Sequence, residues 1–243
     1  MLIDGGGESP NYGGRVSQRA PDPGEEAVSP FLWSRGLKKI DVVALTHAHQ
    51  NHLGGITAIL ENFKVGELWI GREVQSAALA KLEELAHFQG VPIRKETFGD
   101  AFDWDGAQCK VLWPEKDSRE IYTSARNNDS LVFHIQYGHR SFLLAGDGEA
   151  QAEATILSEN PKSELQSDVL KVGHHGSKNS TTPEFLTAVH PQLAIISAGE
   201  QNSYGHPSKK LLERLQTAGV SILRTDRNGA IHVLTDGEKL EIS

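Results

Sequence analysis

The chain has 243 residues, 38% of them hydrophobic and 23% charged, enough for one large domain or two small ones with a real core. Its formal net charge of −8 leaves no generic basic footprint for nucleic acid, so a polyanionic substrate would need a local counter-charge such as bound metal ions. The single cysteine, Cys109, excludes an intramolecular disulfide framework and a thiolate-only metal cage. No window approaches the roughly 18 apolar residues of a membrane helix, and the opening residues lack the basic start and apolar core of a signal peptide.

In chain order, Leu2-Ile3 before Asp4 reads as the end of a strand. Either a preceding hairpin is missing or this is the frayed start of a complete domain. The stretch from Gly5 to Gly24, rich in Gly, Pro and Ser, is a long loop. Asp41 to Thr46 is a β-branched strand that stops at a histidine cluster, and Gly54-Gly55 opens a helix over 56–63. Leu68 to Ile70 is a buried strand, followed by a helix over about 74–88 and by short strands and turns from Pro92 to Pro114. Ser130 to Tyr137 and Arg140 to Ala145 form a hairpin about Gly138-His139. A helix covers about 150–158, and Asp168 to Val172 is a strand.

Thr182-Pro183 caps the next helix, with proline at its first position. Ala194 to Ser197 is a strand, and Pro207-Ser208 opens a helix whose Leu211, Leu212 and Leu215 share one face. Two last strands are expected to meet at Arg227-Asn228-Gly229, a hairpin signal. This is an α/β pattern with hairpins at both ends, better suited to mixed sheets layered with helices than to a purely parallel doubly wound fold. No linker interrupts it, so residues 1–243 read as one domain.

The chemistry collects at strand ends. Thr46-His47-Ala48-His49-Gln50-Asn51-His52 puts three histidines directly after a strand. On a tight turn His47 and His49 point the same way while His52 returns from the first helical turn, so two imidazoles can chelate one ion and a third reach a neighbour. The strand Phe142 to Ala145 runs into Gly146-Asp147, the strand Asp168 to Val172 into His174-His175, and the strand Ala194 to Ser197 leads across a loop to His206. The carboxyl edge of a sheet is where α/β proteins build sites.

His47-x-His49-x-Asn51-His52 resembles the His-x-His-x-Asp-His signature of the metallo-β-lactamase superfamily. Leu2-Ile-Asp-Gly-Gly6, Leu45-Thr-His-Ala-His49, Asn128-Asp-Ser130, Leu143-Leu-Ala-Gly-Asp147, Leu170 to Ser180 and Tyr204-Gly-His-Pro207 come in the order of the ComEC family, the DNA-uptake channel of bacterial competence. The resemblance is to its soluble hydrolase domain and covers about 2–234. It implies an αββα sandwich, here lacking its first N-terminal hairpin, with one or two divalent ions, Mn or Zn.

It further implies His47 and His49 on one metal, His52 on the other, Asp147 as a bridge and His174 as a ligand, with His175 the second choice. His206 either closes the metal site or donates a proton to a leaving group. Asp4 would orient the histidine turn, and Asn128 or Ser130 lies where the superfamily's middle histidine has no match. Ser177, Lys178 and Ser180 could contact phosphate oxygens, against the alternative of a solvated helix-capping turn. Asn51 stands where the pattern has Asp, a departure that would weaken the second metal position and the rate.

The expected function is therefore a metal-dependent phosphodiesterase acting on DNA, degrading the non-transported strand during uptake. The alternatives are a stand-alone hydrolase of a small phosphodiester or ester, and an inactive metal-binding or docking domain. Beside a ComEC-like membrane channel the domain would lie outside the cytoplasmic membrane; a stand-alone form would stay in the cytoplasm. His134 alternates with its neighbours in a strand, His139 sits at a hairpin tip, His87, His190 and His232 are read as surface or second-layer residues, and Cys109 as a buried small hydrophobe. Trp33, Trp69, Trp104 and Trp113 are read as packing, with base stacking the less favoured role.

Overall fold

The β-branched run that ends at the first histidines is buried along most of its length, as a central strand requires. In the computed structural model, which describes residues 1–7, 22–72, 74–116, 124–200 and 202–243, this strand is β2 (Lys39–Leu45). The chain divides into two compact units, Met1–Glu96 with Lys116–Asp129, and Thr97–Glu115 with Ser130–Ser243. Most of the expected loop over 5–24 falls outside the described residues.

The first unit holds a four-stranded sheet in the order β1 (Leu2–Ile3), β2, β3 (Lys64–Ile70), β4 (Ile93–Lys95). All three pairings are parallel, so each connection must cross over. Helices serve as crossovers: α1 (Ser29–Ser34) before β2, α2 (Gln50–Leu53) and α3 (Ile56–Asn62) before β3, and α4 (Ala77–Phe88) before β4. Leu45, Ile56, Ile59, Leu68 and Leu82 belong to the unit's core. Leu2–Ile3 lies beside β2, paired in parallel.

The second unit's sheet is mixed. Its order is β11 (Ser221–Arg224), β10 (Leu193–Ile196), β9 (Val169–Lys171), β8 (Arg140–Leu144), β7 (Val132–Tyr137), β6 (Ala107–Trp113), β5 (Ala101–Trp104). The pairings are parallel from β11 to β8 and antiparallel from β8 to β5. Helices α5 (Ala150–Glu159), α6 (Lys162–Leu165), α7 (Pro183–Val189) and α8 (Lys209–Thr217) connect the parallel strands. Leu211 and Leu215 of α8 are fully buried, with Leu212 packed at the margin of the same core.

The last expected hairpin is corrected. After β11 the chain forms a single turn, α9 (Thr225–Asn228), and Gly229 closes it at φ 69°. Asn-Gly ends a helix as readily as it turns a hairpin, because glycine takes the left-handed conformation both demand. The hairpin comes later, between β12 (Val233–Thr235) and β13 (Leu240–Ile242). There the Asp236 carboxylate accepts from Glu238 N at 2.9 Å and Lys239 N at 2.8 Å.

Candidate functional site

In the first unit, the parallel register of β1 on β2 pairs Ile3 with Ala44, so Asp4 arrives beside Thr46 at the end of β2. Its carboxylate accepts from Thr46 N at 2.8 Å and Thr46 Oγ1 at 2.9 Å, and lies 2.7 Å from His52 Nδ1. A carboxylate opposite Nδ1 draws the proton there, which puts the lone pair of the neutral ring on Nε2. His49 is fixed in the opposite sense. Its Nε2 lies 3.0 Å from the Ala125 carbonyl, an acceptor only, so Nδ1 carries the lone pair and faces His47 Nε2 at 2.8 Å. The His47 and His52 rings are 4.2 Å apart.

Glycines permit this closeness. A Cβ on Gly5 would lie 2.4 Å from Ile56 N, and one on Gly55 would lie 2.2 Å from Gly5 O. That approach lets Gly5 N donate to the His52 carbonyl at 2.8 Å, tying the start of the chain to the histidine turn. His47 and His52 are 4% and 3% exposed.

The second unit builds its own cluster at one sheet edge. Because β8, β9 and β10 are parallel, their carboxyl ends share that edge, and antiparallel β7 begins there. The Ser130 hydroxyl, just before β7, accepts from Asp147 N at 2.9 Å. Asp147 itself is 1% exposed. His174 and His175 sit at φ 45° and 51°, a left-handed conformation that costs a non-glycine residue about 1–3 kcal/mol and persists where its surroundings over-determine it. The surroundings here are specific. His174 Nδ1 lies 2.8 Å from Glu149 Oε1, His175 Nδ1 donates to the Ser197 carbonyl at 2.8 Å, and His175 Nε2 lies 3.4 Å from Asp147 Oδ2.

His206 completes this group. Its backbone N donates to Asn202 Oδ1 at 2.9 Å and its carbonyl accepts from Asn202 Nδ2 at 2.7 Å, which closes a tight turn. The ring meets His174 edge-on at 5.4 Å and stacks on Tyr204 at 6.0 Å with 20° between planes. Burial, then the nearby His174 and His175, lower the His206 pKa below the usual histidine value.

The expected site residues thus gather as two groups. Asp4, His47, His49 and His52 meet in the first unit; Ser130, Asp147, His174, His175 and His206 gather in the second. Asn51 on α2 and Asn128, in a 3-10 turn over Asn127–Asp129, are half-buried. Of the residues expected to meet phosphate, Lys178 is exposed, while Ser177 and Ser180 are buried and the Ser180 hydroxyl donates to Gly173 O at 2.7 Å.

Two polar partners escaped the sequence reading. Thr46 Oγ1 stands 3.2 Å from His47 Nδ1 and 3.3 Å from His52 Nδ1, and Glu149 holds His174. The signal for Glu149 was its place two residues beyond Asp147 on the same strand exit. His47 and His52 are buried in the first unit, and Asp147 is buried in the second. Imidazole with carboxylate fits a divalent transition ion, and the carboxylates behind His52 and His174 are the outer partners that metal-binding histidines take.

A profile of the metallo-β-lactamase superfamily matches residues 1–200. The chain belongs to the metallo-β-lactamase superfamily, a superfamily of metal-dependent hydrolases. It is similar to the C-terminal part of ComEC-like competence proteins. It is 38% identical over 235 residues to ComE operon protein 3 of Bacillus subtilis (strain 168), covering 95% of this chain and 29% of that protein. Recombination protein 2 of Haemophilus influenzae is 30% identical over 241 residues, 99% of this chain and 28% of that protein. Competence protein ComA of Neisseria gonorrhoeae is 28% identical over 207 residues, 85% and 27% of the two.

The chain therefore spans under a third of the length of these relatives. Among solved structures, CmlA, a diiron β-hydroxylase from Streptomyces venezuelae, matches with a TM-score of 0.53 at 16% identity over 77% of this chain and 44% of that chain, a likeness of fold alone. Among the described residues, no helix is long and apolar enough to cross a membrane.

Proposed function

We propose that this chain is a metal-dependent phosphodiesterase that hydrolyses DNA, degrading the strand that is not transported during competence uptake. One observation carries the reading: imidazoles with their Nδ1 atoms held by Asp4, Glu149 and Ser197, in a member of a hydrolase superfamily similar to competence proteins. His47 and His49 would hold one ion, His52 the other, with Asp147 bridging and His174 as a further ligand. When bound, the ions supply Lewis-acid charge against the scissile phosphate and make water acidic enough to react near neutral pH. Asp4 and Glu149 orient the ligand imidazoles. His206 acts beside His174, either as a further ligand or as proton donor to the leaving oxygen. Lys178 is the exposed cation of the loop that follows and is assigned to a substrate phosphate.

Residues 1–243 act as one functional domain in this reading. As part of a longer ComEC-like protein it works beside the membrane channel, outside the cytoplasmic membrane; as a separate protein it works in the cytoplasm on a smaller phosphodiester or ester. Asn51 favours a second reading, a metal-binding or docking domain without turnover, because an amide binds hard cations more weakly than a carboxylate and takes no proton from water.

The test is cleavage of end-labelled single- and double-stranded DNA with Mn²⁺ and with chelator, for this chain and Asn51→Asp together. The nuclease reading expects faster cleavage by Asn51→Asp, abolished by chelator. Failure of both proteins to cut while both bind Mn²⁺ would remove DNA as substrate, and cleavage of a small phosphodiester alone would select the second substrate class.

A further inference from the structure

We infer that Tyr204 is a stacking platform for an unpaired nucleobase beside the second unit's histidine cluster, so that the substrate is held there by a base as well as by its phosphates. The inference rests on the nucleic-acid reading above and names how that substrate is recognised. Tyr204 is 54% exposed, yet one neighbour of its ring is fixed: the His206 imidazole, offset and nearly parallel. A large aromatic side chain left this far in water gains little from burial. What it offers is a π-face, and nucleobases of every sequence have a matching one.

The placement is built rather than incidental. The reciprocal hydrogen bonds of Asn202 with the backbone of His206 close the turn that carries Tyr204, and Gly205 at φ 68° completes it. His206 in turn meets His174 edge-on. A base on Tyr204 would therefore lie one imidazole away from His174, within the reach of a single nucleotide's phosphate. The tryptophans that the sequence offered for this role are placed differently. Trp69 and Trp113 are buried, Trp33 is stacked on Phe63 in the first unit, and Trp104 is stacked on Phe102 along β5.

Charge makes the same point. A chain with net charge −8 repels a polyanion at long range, and stacking is an attraction that does not need cations. A paired base already has both faces covered within its duplex. Tyr204 therefore favours single strands and frayed ends over intact duplex.

The test is fluorescence anisotropy with a labelled oligothymidylate and with an abasic oligomer of the same length, in chelator, followed by Mn²⁺-dependent cleavage of both. The proteins are this chain, Tyr204→Ala, Tyr204→Phe and Tyr204→Trp. Tyr204→Ala should weaken oligothymidylate binding roughly 5- to 150-fold, the range that about 1–3 kcal/mol per stacked base converts to. Binding of the abasic oligomer should stay unchanged, and Phe or Trp should restore the difference. Equal loss on both oligomers, loss on neither, or no oligothymidylate binding by the unsubstituted chain would overturn the platform. Base-dependent binding without cleavage by any variant, Asn51→Asp included, would leave the platform standing and remove the nuclease reading. Cleavage with no base-dependent effect of Tyr204→Ala would do the reverse.

Discussion

A carboxylate behind an imidazole decides which of the two ring nitrogens is left to act. Asp4 does this for His52 and Glu149 for His174, each at a single short contact to Nδ1. Removing such an outer partner typically lowers metal affinity or activity about 10- to 100-fold while the ligands themselves remain. Asp4→Asn and Glu149→Gln should each weaken Mn²⁺ binding by that order, read by competition with a chromophoric chelator; unchanged affinity in both would show that the tautomers are set elsewhere. Asp4 was named through the resemblance carried by Leu2-Ile-Asp-Gly-Gly6. Glu149 was not, since an acidic residue just before a helix reads as complement to the helix dipole. The left-handed backbone of His174 and His175 was equally hidden: nothing in a His-His pair announces a positive φ, which is imposed here by what the rings must reach.

At the scale of elements, α5 and α7 are locked together by one buried acid. Glu153 of α5, 2% exposed, accepts from Thr181 N and from Thr182 N, the latter at 2.8 Å, while Arg214 of α8 donates to the Ser180 carbonyl at 3.0 Å. Burial raises the Glu153 pKa, opposed in part by those N–H donors and by Arg214. A carboxyl raised in the folded state contributes stability that is fully present below its unfolded pKa and is lost as pH rises through the folded value. The urea midpoint should therefore fall with rising pH across that window, and Glu153→Gln, which does not ionise, should flatten the fall; superimposable profiles would refute the assignment. Of these elements the sequence carried the helices well, because Thr182 and Ser208 are true caps and both side chains accept from the N3 backbone. It misplaced the last hairpin because Asn228-Gly229 satisfies a helix end and a turn alike.

For the whole molecule, the acidic balance sets how DNA would be held. Each phosphate neutralised by a protein cation steepens the salt dependence of binding by roughly 0.7 in log–log slope for single strands. With Lys178 as the exposed cation of the phosphate loop and Tyr204 bearing a base, the slope should be shallow, no steeper than about −2. A titration from low to physiological salt checks it, and a slope near −5 would mean that a basic surface elsewhere holds the strand. The strand–helix alternation and the strand ends that carry the histidines were readable from periodicity and punctuation. The division into two units was not, because their boundaries at Glu96, Glu115 and Asp129 carry no linker composition.

Those boundaries have a consequence for how the protein is made. The first unit's residues are not contiguous: its last stretch, Lys116–Asp129, is synthesised only after Thr97–Glu115 of the second, and it includes Ala125, whose carbonyl fixes His49. The histidine turn leaves the ribosome well before the atom that orients its middle ring. A nascent chain paused between residues 52 and 125 would carry the three histidines with His49 still untethered, and neither a single cut nor a single gene fusion can inherit either unit whole.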